Sequence, residues 1–354
     1  MAFRLFSHVR AALSLPILVF PLDANQLDSN RSIRVASPAL ALTYTVAGTA
    51  MRICSLLPAA TEILFGIGAG PDVVGVSHEC DFPAEAALLP RLIRPRVDSY
   101  APPGEIDRQV RRLVERGESV YAVDGELLAG LAPDLIVTQE LCHVCAASPD
   151  DLAATLARLA NPPRMISLTP SRLADVWNDI RRLGEAIGRR TQAERLAKEL
   201  DARTRSIGEK TRNAPRPAVL CLEWLDPPYV GGHWVPEMVE LAGGEPVLAK
   251  IGAPSVALEW GQVLASRPEA IVLMPCGYSL ERTLAEYATA KLPEGWNDLP
   301  AVRNGRVYGV DGNSYFSRSG PRLADGTAIL ARLIHPERPI SEIPAGAWRA
   351  ARSA

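Results

Sequence analysis

No charge of either sign dominates this 354-residue sequence: 38 Lys and Arg stand against 40 Asp and Glu, a formal net charge of −2. With no basic cluster either, that balance argues against a nucleic-acid-binding surface. Arg is frequent in the middle of the chain but interleaved with Glu and Asp at helical spacing, as on a solvated helix face. The apolar run from Ala11 to Leu22 is interrupted by Pro16 and Pro21 and is too short to span a bilayer. Phosphate-binding loops, nucleophile elbows and dinucleotide fingerprints are missing, which counts against the common enzyme classes. Glu62 and Glu223 have no evident partner base, so no catalytic pair is expected and the chain reads as a non-enzyme.

Cysteine is sparse. The six are Cys54, Cys80, Cys142, Cys145, Cys221 and Cys276, and a chain of this size does not need disulfides to fold. Cys54 and Cys221 fall in strand-like runs and read as inert core residues. Cys142-His143-Val144-Cys145 fits a two-ligand metal knuckle or a redox pair. A tetrahedral zinc site needs two further ligands, which His78, Cys80 or His143 could supply if the loops meet. Ordinary packing is the plainer alternative for all of them.

Aromatic residues make up only 6% of the chain, so their crowding in one segment stands out. Glu223-Trp224-Leu225-Asp226-Pro227-Pro228-Tyr229-Val230-Gly231-Gly232-His233-Trp234 holds two Trp, a Tyr and a His. It follows the apolar run Ala218–Leu222 and precedes a short helix that Pro236 opens and Gly243-Gly244 ends. It reads as a loop, serving either as a flat platform for a large planar ligand or as a plug over the core.

The chain repeats itself. Glu126–Val137 and Gly261–Val272 share one grammar of helix, Pro turn and buried strand, with Pro133 matching Pro268, Ile136 matching Ile271 and Val137 matching Val272. Strand Arg52–Leu56 matches strand Ala218–Leu222, and each following helix ends in glycine before another strand, at Val73–Val76 and at Val247-Leu248. Between the halves, Ser171–Gly188 and the stretch from Thr191 to about Lys210 carry apolar residues at helical spacing. The expectation is an α/β fold of two lobes with mainly parallel sheets, each with its own core, joined by a long helical spine, with a ligand cleft between the lobes. The boundaries are 51–168, 169–214 and 215–345, with a tail at 346–354. Residues 1–50, without regular pattern, read either as a degenerate export signal plus linker or as an over-extended start upstream of Met51.

In such sheets ligands gather beyond the carboxyl ends of the strands. The loops after Leu56, Val76, Val137, Leu222, Leu273 and Val310 would then line one cleft. Ser55-Leu56-Leu57-Pro58-Ala59-Ala60-Thr61-Glu62, Val74-Gly75-Val76-Ser77, Asp81-Phe82-Pro83, the Pro227-Pro228 segment and Phe316-Ser317-Arg318-Ser319-Gly320-Pro321-Arg322 occur in an order and spacing that give a resemblance. From Met51 to about Ile334 the chain resembles the cobalamin and iron-siderophore solute-binding proteins of ABC importers, most nearly the cobalamin branch. The resemblance implies a monomer that captures a corrinoid or similar metal chelate between lobes that hinge little, with the chelate as ligand rather than catalytic cofactor.

On that reading the ligand-binding residues are Pro58, Ala59, His78, Cys80, Gln139, Cys142, Trp224, Tyr229, His233, Trp234, Phe316, Arg318 and Arg322. The aromatics would supply flat contact and the arginines would meet polar side arms. A neutral imidazole of His78, His143 or His233 could reach the metal axially. Docking to an ABC permease would use Glu126; at the matching position of the second half stands Gly261, with Glu259 two residues earlier. The family implies a periplasmic or membrane-associated extracytoplasmic location; a start at Met51 would imply a cytoplasmic one. The second reading is a zinc, iron or thiol-redox protein built on Cys142, Cys145, His143, Cys80 and His78, for which free thiols suit a reducing compartment.

Overall fold

A computed structural model describes residues 51–139, 149–157, 159, 161–340 and 342–351. The leader and the Cys142–Cys145 segment lie outside the described residues.

In the first half, β1 (Ile53–Ser55), α1 (Pro58–Gly66), β2 (Val73–Val76), β3 (Ile93–Pro95), α2 (Pro103–Glu115), β4 (Tyr121–Val123), α3 (Gly125–Leu131), β5 (Leu135–Gln139), α4 (Pro149–Leu156) and β6 (Arg164–Leu168) follow one another. Among the described residues, β2-β1-β5-β6 form a parallel sheet, and β3 pairs antiparallel with β4 beside it. Every residue of β1 is buried, as a central strand covered on both faces requires. Pro58 opens α1 without losing a needed N–H, and Asp124 caps α3 by accepting from Leu127 N at 3.0 Å.

The spine is two packed helices, α5 (Leu173–Ala186) and α6 (Arg190–Thr211). Leu173, Val176, Trp177, Ile180 and Leu183 form the buried stripe of α5 at the expected spacing. At 22 residues α6 runs about 33 Å. Gly184 lets the two helices touch: a Cβ there would collide with that of Ala193. α5 packs on α1, and Arg189 pairs with Asp72 at 3.0 Å. Leu173 N donates to Glu237 Oε2 at 2.9 Å, which ties the start of α5 to the second half.

That half comprises β7 (Ala218–Leu225), β8 (Pro228–Val230), α7 (Val235–Leu241), β9 (Glu245–Pro246), β10 (Val256–Ala257), α8 (Trp260–Ala265), β11 (Ala270–Leu273), α9 (Leu280–Thr289), α10 (Pro300–Arg303), β12 (Val307–Val310), α11 (Gly312–Tyr315), α12 (Leu323–Ile334) and β13 (Trp348–Ala350). Strands β7, β11 and β12 are parallel neighbours; β8, β10 and β13 add antiparallel edges, and β9 pairs with the start of β7. α6 packs on both α7 and α12. The sequence repeat is a repeat of structure: Ile136 lies opposite Cys54 in β1, and Ile271 opposite Leu220 in β7.

Four expectations need amendment. The segment after Leu222 is not a long loop: β7 runs on to Leu225 and turns back at once into β8, with Trp224 opposite Tyr229. The strand placed at Val247-Leu248 lies two residues earlier, and Leu248 has φ +62°, outside any strand. Part of the expected tail forms β13, which continues the sheet beside β12. The two halves also do not keep wholly separate cores. One cluster of buried side chains runs from Ile53, Ile63 and Val137 through Val176, Trp177 and Ala197 to Val219, Met238, Val272 and Leu330. The inner faces of both sheets pack on the same spine, so their apolar surfaces merge; separate clusters lie only on the outer faces. No helix among the described residues is long and apolar enough to cross a membrane.

Candidate ligand-binding cleft

The carboxyl ends of both sheets present aromatic pairs. In the first half His78, just past β2, packs its ring against Tyr121 with centroids 5.6 Å apart. Its Nε2 lies 3.4 Å from Glu79 Oε1, and that hydrogen bond holds the Glu79 carboxyl below its ordinary value. In the second half Trp224, at the end of β7, meets Tyr278, just past β11, edge to face at 5.3 Å. Burial pushes the Tyr278 phenol up to about 12, so it stays neutral. Trp224 Nε1 donates to Asp226 O at 3.1 Å, which locks the indole on the hairpin and leaves it half-buried.

The halves are also bridged by charged side chains. Arg318, in the segment between α11 and α12, donates from Nη1 to Glu62 Oε1 (3.2 Å) and Asp81 Oδ1 (2.5 Å). Its Nη2 donates to Asp81 Oδ2 (3.1 Å), Glu79 O (2.9 Å) and Asn313 Oδ1 (3.0 Å). Arg322 grips Glu62 in a two-pronged pair, at 3.0 and 2.5 Å. Burial works to raise the Asp81 carboxyl, but the hydrogen bond and charge of Arg318 outweigh it and hold Asp81 below its ordinary value. The carboxylates push the Arg318 guanidinium up against its burial, so it stays charged. Elsewhere Arg282 Nη1 donates to Ser99 O at 2.7 Å, and Gly104 sits close under Asp226, where a Cβ would meet Oδ2 at 2.5 Å.

Relatives of known kind decide what such a two-lobed body is. A family model described as periplasmic binding protein matches residues 53–313. The chain belongs to that family. An ABC transporter substrate-binding lipoprotein of Bacillus subtilis (strain 168) is 25% identical over 292 residues, 81% of this chain and 80% of that protein. A vitamin B12-binding protein of Vibrio parahaemolyticus is 23% identical over 274 residues, 77% of this chain and 84% of that protein. Among solved structures, a periplasmic heme-binding protein from Pseudomonas aeruginosa has a TM-score of 0.66 at 18% identity, covering 86% of this chain and 99% of that one. The periplasmic vitamin B12 binding protein of Vibrio cholerae has a TM-score of 0.60 at 21% identity, covering 80% and 96%. The two lobes and the helical spine are thus the fold of periplasmic binding proteins, and the chain is a solute-binding component of ABC import rather than an enzyme.

Within this periplasmic binding protein the expected site residues separate into groups. His78, Trp224 and Tyr229 lie half-buried at the carboxyl ends of the sheets, and Gln139 is buried at the end of β5. Pro58 is half-buried at the start of α1. Ala59 is 2% exposed and lies beneath Gly320, so it belongs to the packing between the halves and not to a ligand wall. Trp234 and Phe316 are corrections too. Both are buried in the common core, with Trp234 Nε1 donating to Phe316 O at 2.8 Å. The hairpin causes this: Gly231 N bonds back to Cys221 O, so β8 carries His233 and Trp234 away from the tip that holds Trp224. His233 stands at φ +53° in a turn fastened to Gly252 and Ala253, and burial keeps its imidazole neutral.

Arg318 and Arg322 are not poised for side arms of a ligand: both Nη atoms of Arg318 and the Nε and Nη2 of Arg322 already donate to Glu62, Asp81, Glu79 O and Asn313, and Arg318 Nε, without a partner among the described residues, is buried. Cys80 is sealed: Thr61 Oγ1 donates to its Sγ at 3.0 Å, Ser77 Oγ lies 3.2 Å away, and burial raises the thiol pKa. A protonated, inaccessible thiol neither ligates nor exchanges, so the part given to Cys80 in a ligand, metal or redox site is withdrawn. Among the described residues no group of three or more His, Cys, Asp and Glu could hold a metal ion. Cys142, His143 and Cys145 lie outside the described residues. Glu126 and Glu259 are exposed at the first turn of α3 and the start of α8. Missed at the sequence level were Tyr121, Asn313 and Arg282. An apolar groove of about 630 Å³ also lies on the flank, walled by Phe65, Phe82, Pro83, Leu89, Leu196 and Pro321; of the expected ligand residues it includes only Arg322.

Proposed function

We propose that this protein captures a flat, tetrapyrrole-sized metal chelate, cobalamin in the first instance, between its two lobes and delivers it to an ABC permease. The observation that carries this is the chemistry at the carboxyl ends of the two sheets. Trp224 and Tyr278 form a rigid aromatic wall on one, and His78 with Tyr121 offers an imidazole beside an aromatic ring on the other. Flat apolar walls grip a macrocycle, and an imidazole nitrogen is a natural axial ligand for its metal. His78 Nδ1 is buried and has no hydrogen-bond partner among the described residues, so the ring is not fully committed to the protein. Relatives named for vitamin B12 and structures named for heme give the reading its support.

The domain limits proposed with it are lobes at 51–168 and 215–345 around a spine at 169–214, with the second lobe extended to Ala350 because β13 pairs with β12. Exposed Glu126 and Glu259 are the proposed permease contacts, one on each lobe. The location is extracytoplasmic, as the family and the lipoprotein relative suggest; nothing among the relatives supports the cytoplasmic alternative. Titration with cobalamin and with haem, read by the macrocycle absorption and by Trp fluorescence, tests the proposal. One-to-one saturation in the micromolar range or below is expected for one of the two. A His78→Ala variant should lose any axial-ligand change in that spectrum while keeping most of the affinity supplied by the rings.

A further inference from the structure

Two polar bridges between the lobes, among the described residues, differ in what it costs to open them. Glu62 and Arg318 are 4% and 6% exposed and neutralise one another with Arg322 and Asp81. Separating them would leave charges buried without partners, so that bridge resists opening. The other bridge is neutral on one side. Arg282, in the first turn of α9, donates from Nη1 to Ser99 O (2.7 Å) and from Nη2 to Ala101 O (3.4 Å), more than 180 residues away in sequence. Its side chain is 26% exposed, so water can take the place of both carbonyls at little cost. Tyr100, between the two acceptors, is 93% exposed, so its own side chain does not hold the segment closed.

Arg282 also lies on the aromatic wall. Its guanidinium carbon is 3.7 Å from the centre of the Tyr278 ring, its Nη2 donates to Tyr278 Oη at 2.9 Å, and its Nε faces Glu286 at 3.9 Å. With Trp224 against the same ring, Tyr278 is left 3% exposed. A flat ligand therefore cannot lie on Tyr278 until the guanidinium moves.

We propose that Arg282 is the gate of the cleft: the lobes part at the Arg282–Ser99/Ala101 bridge while the Glu62–Arg318–Asp81 network stays closed as the pivot. Release of Arg282 both opens the rim and uncovers the Tyr278 ring, so one side chain couples entry to exposure of the binding surface. This rests on the interlobe capture proposed above, but its first test needs no ligand. Hydrogen exchange is followed in the whole protein for the wild type, Arg282→Met and Arg282→Lys. In Arg282→Met, peptides covering 97–104 and 276–283 should exchange about tenfold faster. Those covering 58–66 and 316–326 should be unchanged. Arg282→Lys keeps the charge but not the fork, and should fall between. With cobalamin or haem, association and dissociation should both quicken in Arg282→Met, by more than the affinity changes. Unchanged exchange at 97–104, or faster exchange at 58–66 and 316–326, overturns the gate. Exchange as expected with no chelate bound leaves the gate standing and removes the ligand assignment instead.

Discussion

Trp224 keeps part of its indole in solvent and fixes it through a single bond to Asp226 O, whereas Trp234, ten residues later, is 6% exposed and bonded to the backbone of Phe316. Substitution should separate their roles. Trp224→Ala should weaken chelate binding about tenfold, roughly 1–2 kcal/mol, and leave the urea midpoint nearly unmoved. Trp234→Ala should lower stability by about 3–5 kcal/mol through the cavity it leaves. Equal effects of the two on binding and stability would contradict this division. Asp179 offers a second test at this scale. Burial pushes its carboxyl up to about 6, against the hydrogen bond it accepts from Arg182 at 2.6 Å, and its Oδ2 has no partner among the described residues. An acid whose folded pKa is raised holds its proton more tightly when folded, so it costs stability as pH rises from about 4 through 6. Asp179→Asn should therefore match the wild type below pH 4 and exceed it above pH 6, by roughly 1–3 kcal/mol. Thermal melts across that range read the difference directly.

At the scale of elements, the parallel strands were legible because burial on both faces demands continuous apolar runs, as in Val219–Leu222 and Ile271–Leu273. The spine was legible because Leu173, Val176, Trp177, Ile180 and Leu183 recur on one helical face. The hairpin was not. Past Leu222 the strand leaves the covered part of the sheet, polar Glu223 and Asp226 interrupt the run, and Pro227-Pro228 suggests a loop. Pro228 nevertheless begins β8, a position where its missing N–H costs the ladder nothing. Mistaking hairpin for loop is what put Trp234 on the wrong side of the sheet. The arginines were misassigned for another reason: residues 237 to 260 positions apart meet only through the tertiary fold. Their network yields its own expectation. Glu62→Gln should cost about 3–5 kcal/mol in urea unfolding, because Arg318 is then buried with half its counter-charge. Asp81, held below its ordinary value, lends stability in full above about pH 4 and loses it as pH falls through its folded value. The melting difference between wild type and Asp81→Asn should accordingly be present at pH 7 and shrink in strong acid. A difference that grows on acidification would refute that role.

At the scale of the molecule, both sheets lean on one spine and share one core, so large independent movements of the lobes would expose apolar surface. Small opening at the rim is the motion this architecture allows, and it suits a carrier that must hold and then release its cargo. The central claim is that the cargo is a flat metal chelate held between the sheet ends. Equilibrium titration of the wild type and Trp224→Ala with cobalamin and haem, followed by macrocycle absorption, tests it most directly. The account predicts saturable one-to-one binding of one of them at micromolar concentration or below, weakened about tenfold by Trp224→Ala. Absence of saturable binding of either chelate, or binding indifferent to Trp224, would contradict it.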